Sequence, residues 1–157
     1  MSEQAAIDAM EFARNRRALH GKIPVAQLER LSEVVAGDDA VVEYSVSGGV
    51  DDDGRPALDL ELRAVLPLVC QRCLEPFDFA LDRRSRLLLA KDETQYNALD
   101  RDEAVEVILA ERRLRVDRLV EDEILLSLPM APMHPLSQCA AAQWIGEPEA
   151  KAPGDGA

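Results

Sequence analysis

The sequence contains few aromatic residues, two histidines and no long apolar run. Phenylalanine, tyrosine and tryptophan make up 4% of the 157 residues, so the core of a folded domain must be aliphatic. No segment approaches the ~18 consecutive apolar residues of a membrane-spanning helix. The sequence also lacks a Ser-His-Asp set, a glycine-rich phosphate loop and an HExxH motif. We therefore expect neither a membrane partner nor an enzyme.

The N-terminal segment lacks the basic stretch and apolar run of a secretory signal, because it carries the acids Glu3, Asp8 and Glu11. A cytoplasmic location is the expectation. In that compartment the three cysteines are more often thiols or metal ligands than disulfides.

Acidic residues dominate the chain, which carries a net charge of -12. That balance argues against a simple basic nucleic-acid binder, which neutralises phosphates with lysine and arginine. The charge is uneven, however. Residues 36–62 hold eight acids against Arg55 alone, whereas residues 63–90 hold five arginines against three acids. The local excess of arginine in residues 63–90 means that the negative net charge does not exclude contact with RNA.

Alternating apolar and polar residues predict strands in the middle of the chain. The alternating runs are residues 42–46, 58–70, 77–89 and 105–109. The two longest runs flank Cys70-Gln71-Arg72-Cys73, which predicts a large antiparallel hairpin with a CxxC tip. The polar and acidic residues 91–103 predict a surface loop.

Helical spacing of apolar residues predicts three helices. They cover residues 9–19, residues 25–36 after Pro24, and residues 117–128. The predicted fold class is α+β: an antiparallel sheet of about four to six strands built around the hairpin and packed by the helices at 25–36 and 117–128. Residues 1–139 form this single domain. Residues 140–157, rich in Ala, Glu, Pro and Gly, predict a disordered tail.

The cysteines suggest a metal site. A CxxC turn brings two sulfurs within reach of one ion, and His134 and Cys139 would complete a four-ligand structural Zn²⁺ site with Cys70 and Cys73. Burial of Cys70 as a small core residue is the alternative. A redox dithiol is a third reading, but that motif usually lies at a helix N-terminus, whereas both flanks here predict strands.

Two groups of charged residues are candidates for other roles. Arg72 at the hairpin tip and Arg83, Arg84 and Arg86 on its second strand are candidate partner-binding or RNA-binding residues, because arginine donates paired hydrogen bonds to phosphate. Pairing with the abundant acids is the alternative. The run Glu121-Asp122-Glu123 spreads around a helix, so we expect a solvated face, with one carboxylate bonded to a strand end or an arginine, rather than a convergent site.

Two of these segments together resemble the YceD family. Cys70–Phe77 reads CQRCLEPF and is similar to that family's hairpin tip, and Leu119–Pro129 reads LVEDEILLSLP and is similar to its V-E-D-E helix ending in L-P. Met133, His134 and Cys139 follow at similar spacing. The resemblance extends over nearly the whole chain up to Cys139.

The resemblance implies a role in the accumulation of large-subunit ribosomal RNA and in ribosome assembly, without supplying the mechanism. The expected partners are that RNA, ribosomal proteins or assembly intermediates. An acidic factor would suit a basic ribosomal protein by charge complementarity. The alternative function is a zinc- or thiol-based enzyme or redox sensor.

Overall fold

The structure is a computed structural model, and it describes residues 6–37 and 39–133. The strands are β1 (Ala6–Ile7), β2 (Ala18–Pro24), β3 (Val41–Val50), β4 (Pro56–Val69), β5 (Pro76–Ala90), β6 (Glu106–Leu109) and β7 (Leu114–Arg115). The helices are α1 (Ala9–Arg14), α2 (Glu29–Ser32), α3 (Glu93–Asp100) and α4 (Val116–Ser127). No helix in this part of the chain is long and apolar enough to cross a membrane.

Five strands form one sheet in the order β2-β3-β4-β5-β6. The first three neighbouring pairs are antiparallel, and β5 with β6 is parallel. The short strands β1 and β7 form a separate antiparallel ladder. The protein is α+β with a mostly antiparallel sheet, as predicted. The parallel pair corrects the expectation of an entirely antiparallel sheet, and α3 supplies the connection that parallel neighbours require.

Strands β4 and β5 are the longest elements and pair from Ala57 with Leu88 to Val69 with Pro76. Alternate residues of β4 point into the main core and are at most 2% exposed: Leu58, Leu60, Leu62, Leu66 and Leu68. Residues of α1, α2 and α4 belong to the same apolar cluster. Each buried leucine contributes about 1.5–3 kcal/mol, so this face of the sheet is a major source of stability.

Among the described residues, the opposite face of the sheet is covered at one end only. There Ala57, Leu88, Ala90 and Val107 form a small second core with Tyr96 and Leu99 of α3. Further along, β4 and β5 present charged side chains to solvent: Asp59, Glu61, Arg63, Asp82, Arg84 and Arg86. We call the surface formed by these six residues the open face.

The predicted helix over residues 9–19 is wrong beyond Arg14. Arg16 adopts a left-handed conformation with φ 52°, and the chain then enters β2. Gly21 is not a helix stop but lies within β2 beside Tyr44, where an added Cβ would lie 3.0 Å from the tyrosine hydroxyl. The missing side chain at Gly21 hides the strand alternation from the sequence pattern.

The predicted helix over residues 25–36 is correct only at Glu29–Ser32, the single turn of α2. A short 3₁₀ turn, Val25–Gln27, is followed by extended Leu28 and by the single-turn helix α2. Val25, Leu28 and Leu31 are all buried, so their spacing identified the inward-facing residues but not the backbone conformation.

The predicted loop at residues 91–103 contains helix α3. Asp92 caps it by accepting a hydrogen bond from the backbone N–H of Gln95. An Asp followed three residues later by Gln is a sequence signal for a helix start. The polarity of the segment favoured a loop over this signal. The segment is polar because none of the residues of α3 is buried.

Two neighbouring residues of β4 test the assignment of the core face. We expect Leu66→Ala to lower the free energy of unfolding by about 2–5 kcal/mol, because Leu66 is fully buried. Val65 is 55% exposed, so Val65→Ala is the matched control and should cost less than about 0.5 kcal/mol. Chemical denaturation measures both, and equal losses would show that the faces of β4 are assigned wrongly.

Candidate functional site

The turn between β4 and β5 holds the Cys70–Cys73 pair. Cys70 is buried, and the half-buried Cys73 and Phe77 pack against it. The backbone N–H of Arg72 donates to the Sγ atom of Cys70 at 3.4 Å. Leu74 then takes a left-handed conformation with φ 64° and donates its N–H to the carbonyl oxygen of Cys70 at 2.8 Å.

The segment that follows α4 reaches this turn. The carbonyl oxygen of Pro132 accepts a hydrogen bond of 2.8 Å from the backbone N–H of Gln71. The CxxC turn and the C-terminal part of the described chain therefore touch, although 61 positions separate these two residues in sequence. His134 and Cys139, the other two predicted zinc ligands, lie outside the described residues. Within residues 6–37 and 39–133, no three potential metal ligands lie together.

The first carboxylate of the acidic run is buried against α2. Glu121 is 8% exposed and accepts the backbone N–H groups of Arg30 at 2.7 Å and Leu31 at 3.1 Å. The guanidinium group of Arg30 also binds Glu121, at 3.2 Å and 3.3 Å, and pairs with exposed Asp122. Glu121 thereby satisfies two of the free N–H groups at the start of α2, whose N-cap residue makes no side-chain capping bond.

The last carboxylate of the run points to the sheet instead. Glu123 is 5% exposed and accepts hydrogen bonds from the Ser85 hydroxyl at 2.9 Å and from Arg83 at 3.4 Å. Arg83 also reaches Glu106 of β6. Burial raises the pKa of Glu106 above its usual value, and the nearby Glu123 carboxylate adds to the rise. The expected solvated face is therefore limited to Asp122, and two carboxylates of the run are bonded within the fold where one was expected.

The four candidate arginines do not share one surface. Arg72 is half-buried in the CxxC turn. Arg83 points to the helix-covered face, whereas Arg84 and Arg86 point to the open face, as strand alternation requires. On the open face, Arg84 pairs with Glu61 at 3.6 Å and Arg86 with Asp59 at 2.7 Å across β4 and β5. Three of the four arginines are thus bound to acids within the fold, and their role in binding RNA stays a prediction.

A second group of arginines was missed in the sequence. Residues 111–118, which lead from β6 into α4, hold four arginines against two acids. Arg115 pairs with Asp117, while Arg112, Arg113 and Arg118 are exposed. The signal that could have found them is the short run Arg112-Arg113-Leu114-Arg115, which stands out in an acidic chain.

Comparison with known proteins identifies the family. Residues 58–154 match the family described as "YceD: Large ribosomal RNA subunit accumulation protein YceD". This chain belongs to the YceD family. The match begins in β4 and includes the CxxC turn and α4. No solved structure matches the chain.

A curated relative supports the same assignment. The chain is 30% identical over 135 residues to the large ribosomal RNA subunit accumulation protein YceD of Haemophilus influenzae. The similar region covers 85% of this chain and 76% of the relative. It therefore extends well beyond the two short motifs that suggested the family.

The acidic run offers a direct test of the role of α4. We expect Glu121→Gln to lower the free energy of unfolding by about 1.5–3 kcal/mol, because an amide group cannot accept at both of its ends. Asp122→Asn is the matched control at the adjacent, exposed position, and its loss should stay below about 1 kcal/mol. Urea denaturation compares them. Equal effects would show that Glu121 does not secure α2.

Proposed function

We propose that this chain is a non-enzymatic accessory factor for the accumulation or processing of large-subunit ribosomal RNA and for ribosome assembly. The observation that carries the proposal is the family match over residues 58–154. The relative from Haemophilus influenzae is named for the accumulation of that RNA. The matched region includes β4, β5 and α4, which contribute to one apolar core.

The arrangement of the buried carboxylates favours a non-enzymatic role. Buried acids are the usual candidates for general acid or base catalysis. Here Glu121 binds two backbone N–H groups and Arg30, and Glu123 binds Ser85 and Arg83. Both carboxylates thus hold secondary structure elements together, which is a structural use of a buried charge.

The proposed partners are large-subunit ribosomal RNA, ribosomal proteins or assembly intermediates in the cytoplasm. The exposed side chain of Leu74 and the half-buried Arg72 make the CxxC turn a candidate point of contact. The charge of -12 favours a basic protein as one partner.

A deletion strain tests the function. We expect sucrose gradients of its lysate to show fewer large subunits, accumulated precursor particles and less large-subunit ribosomal RNA relative to small-subunit RNA. The wild-type gene supplied from a plasmid should restore the profile. Unchanged particle peaks and RNA ratios would contradict the proposed function.

We also propose that Cys70 and Cys73 hold a structural Zn²⁺ ion, with His134 and Cys139 as the remaining ligands. Three observations support this. The N–H of Arg72 faces the Cys70 sulfur, the two cysteines lie in one turn, and Pro132 lies against that turn two positions before His134 in the sequence. Zinc at this place would tie the segment after α4 to the hairpin. The alternative, a zinc- or thiol-based enzyme or sensor, has no further observation in its favour.

Metal analysis of the purified chain, freed of any affinity tag, tests the zinc proposal. We expect close to one Zn²⁺ per chain, most of it lost in Cys73→Ser and in His134→Asn. His20→Asn is the matched control, because exposed His20 lies on β2 and should leave the zinc content unchanged. A wild-type chain without zinc after growth in zinc-supplemented medium would disprove the site.

A further inference from the structure

The arginines between β6 and α4 differ from those of the hairpin. Arg83, Arg84 and Arg86 each have an acidic partner. In contrast, none of the ion pairs among residues 6–37 and 39–133 includes Arg112, Arg113 or Arg118. These three guanidinium groups are exposed and keep their donors available to an outside ligand.

Two of these arginines line a cavity of about 580 Å³. Arg113 and Arg118 border it together with Arg115, and Tyr96 of α3 borders it as well. Its volume lies within the range of about 300–1,000 Å³ that is typical of ligand sites. The acids that border it are Glu111 and Asp122, and Asp122 is paired with Arg30. The cavity thus combines an excess of cationic donors with an aromatic ring.

We propose that this cavity, which we call the arginine cleft (Tyr96, Arg113, Arg115 and Arg118), binds a single-stranded segment of RNA. The inference rests on the proposed function, which it deepens by naming the surface and the chemical class of ligand. Arg113 and Arg118 donate to backbone phosphates, Arg112 extends the cationic rim, and Tyr96 stacks on a base.

The composition of the cleft favours a single strand over a duplex. Single-strand sites combine a cationic groove along the backbone with aromatic rings on which bases stack. A base can reach a ring inside a cleft only when it is unstacked from its neighbours, as in loops, bulges and ends. The acidic remainder of the chain repels phosphates, so contact is confined to the surface where arginines exceed acids.

Binding of the full chain to a labelled single-stranded RNA oligonucleotide of mixed sequence tests the proposal. We expect the double variant Arg113→Ala/Arg118→Ala to weaken binding by about 10- to 100-fold. The slope of log K against log salt should fall by about 1.4, since each single-strand phosphate contact contributes about 0.7. Tyr96→Ala should weaken binding roughly 5- to 100-fold, and Tyr96→Phe should not.

The matched control is the double variant Arg84→Ala/Arg86→Ala, which removes two arginines already paired on the open face. It removes the same number of positive charges as the cleft variant but should weaken binding far less, because both guanidinium groups are already bound to acids. Equal or greater loss in this control would assign RNA binding to the hairpin and overturn the cleft. A wild-type chain that binds no RNA at 50 mM salt would also overturn the proposal. A cleft variant that binds RNA normally but no longer sediments with ribosomal particles would overturn it too, because that second result would assign the cleft to a protein partner. The deletion phenotype is independent of each of these outcomes, so the two proposals fail separately.

Discussion

The position of α4 depends on the carboxylate of Glu121. It lies almost completely out of solvent, and burying an ionised carboxylate is costly unless its oxygens are bonded. Two backbone N–H groups and the Arg30 guanidinium meet that need, and they all belong to a segment about ninety residues earlier in the sequence. The same contact satisfies two backbone donors in the first turn of α2. The middle of α4 and the start of α2 thus satisfy each other's buried polar groups.

Helix geometry lets one short acidic run hold two different elements. Successive residues in a helix are rotated by about 100°, so Glu121 and Glu123 point about 200° apart. Glu121 therefore reaches α2, and Glu123 reaches Ser85 of β5, with Asp122 left at the surface between them. The prediction that these acids do not converge followed from this rotation. Their burial did not follow, because it depends on donors that only the folded chain brings together.

The elements that the sequence predicted well are those whose pattern is long and local. The leucines of β4 alternate over more than ten residues, and no other structure accounts for that period. Strand β2 was missed because Gly21 interrupts the row of inward-facing side chains. The length of α2 was overestimated because Leu28 is extended, although Leu28 and Leu31 keep a helical spacing in sequence and are both buried. The CxxC turn is visible as a motif, whereas its contact with Pro132 links residues far apart in sequence. The arginine cleft was missed for the same reason, since Tyr96 of α3 and Arg113 line one cavity only in the folded chain.

The chain has two contrasting groups of arginines, those bound to acids on the open face and those of the arginine cleft. On the open face, acids and arginines alternate across β4 and β5, which keeps one side of a five-stranded sheet soluble without creating a field of one sign. Those arginines would have to leave their partners before they could bind phosphate, so each new contact would replace an existing one. Among the described residues, Arg112, Arg113 and Arg118 have no such ion-pair partner to give up, whereas Arg115 is bound to Asp117. An acidic chain can therefore keep a cationic contact surface, because the sign of a binding site is set by the charges that remain unpaired and not by the total.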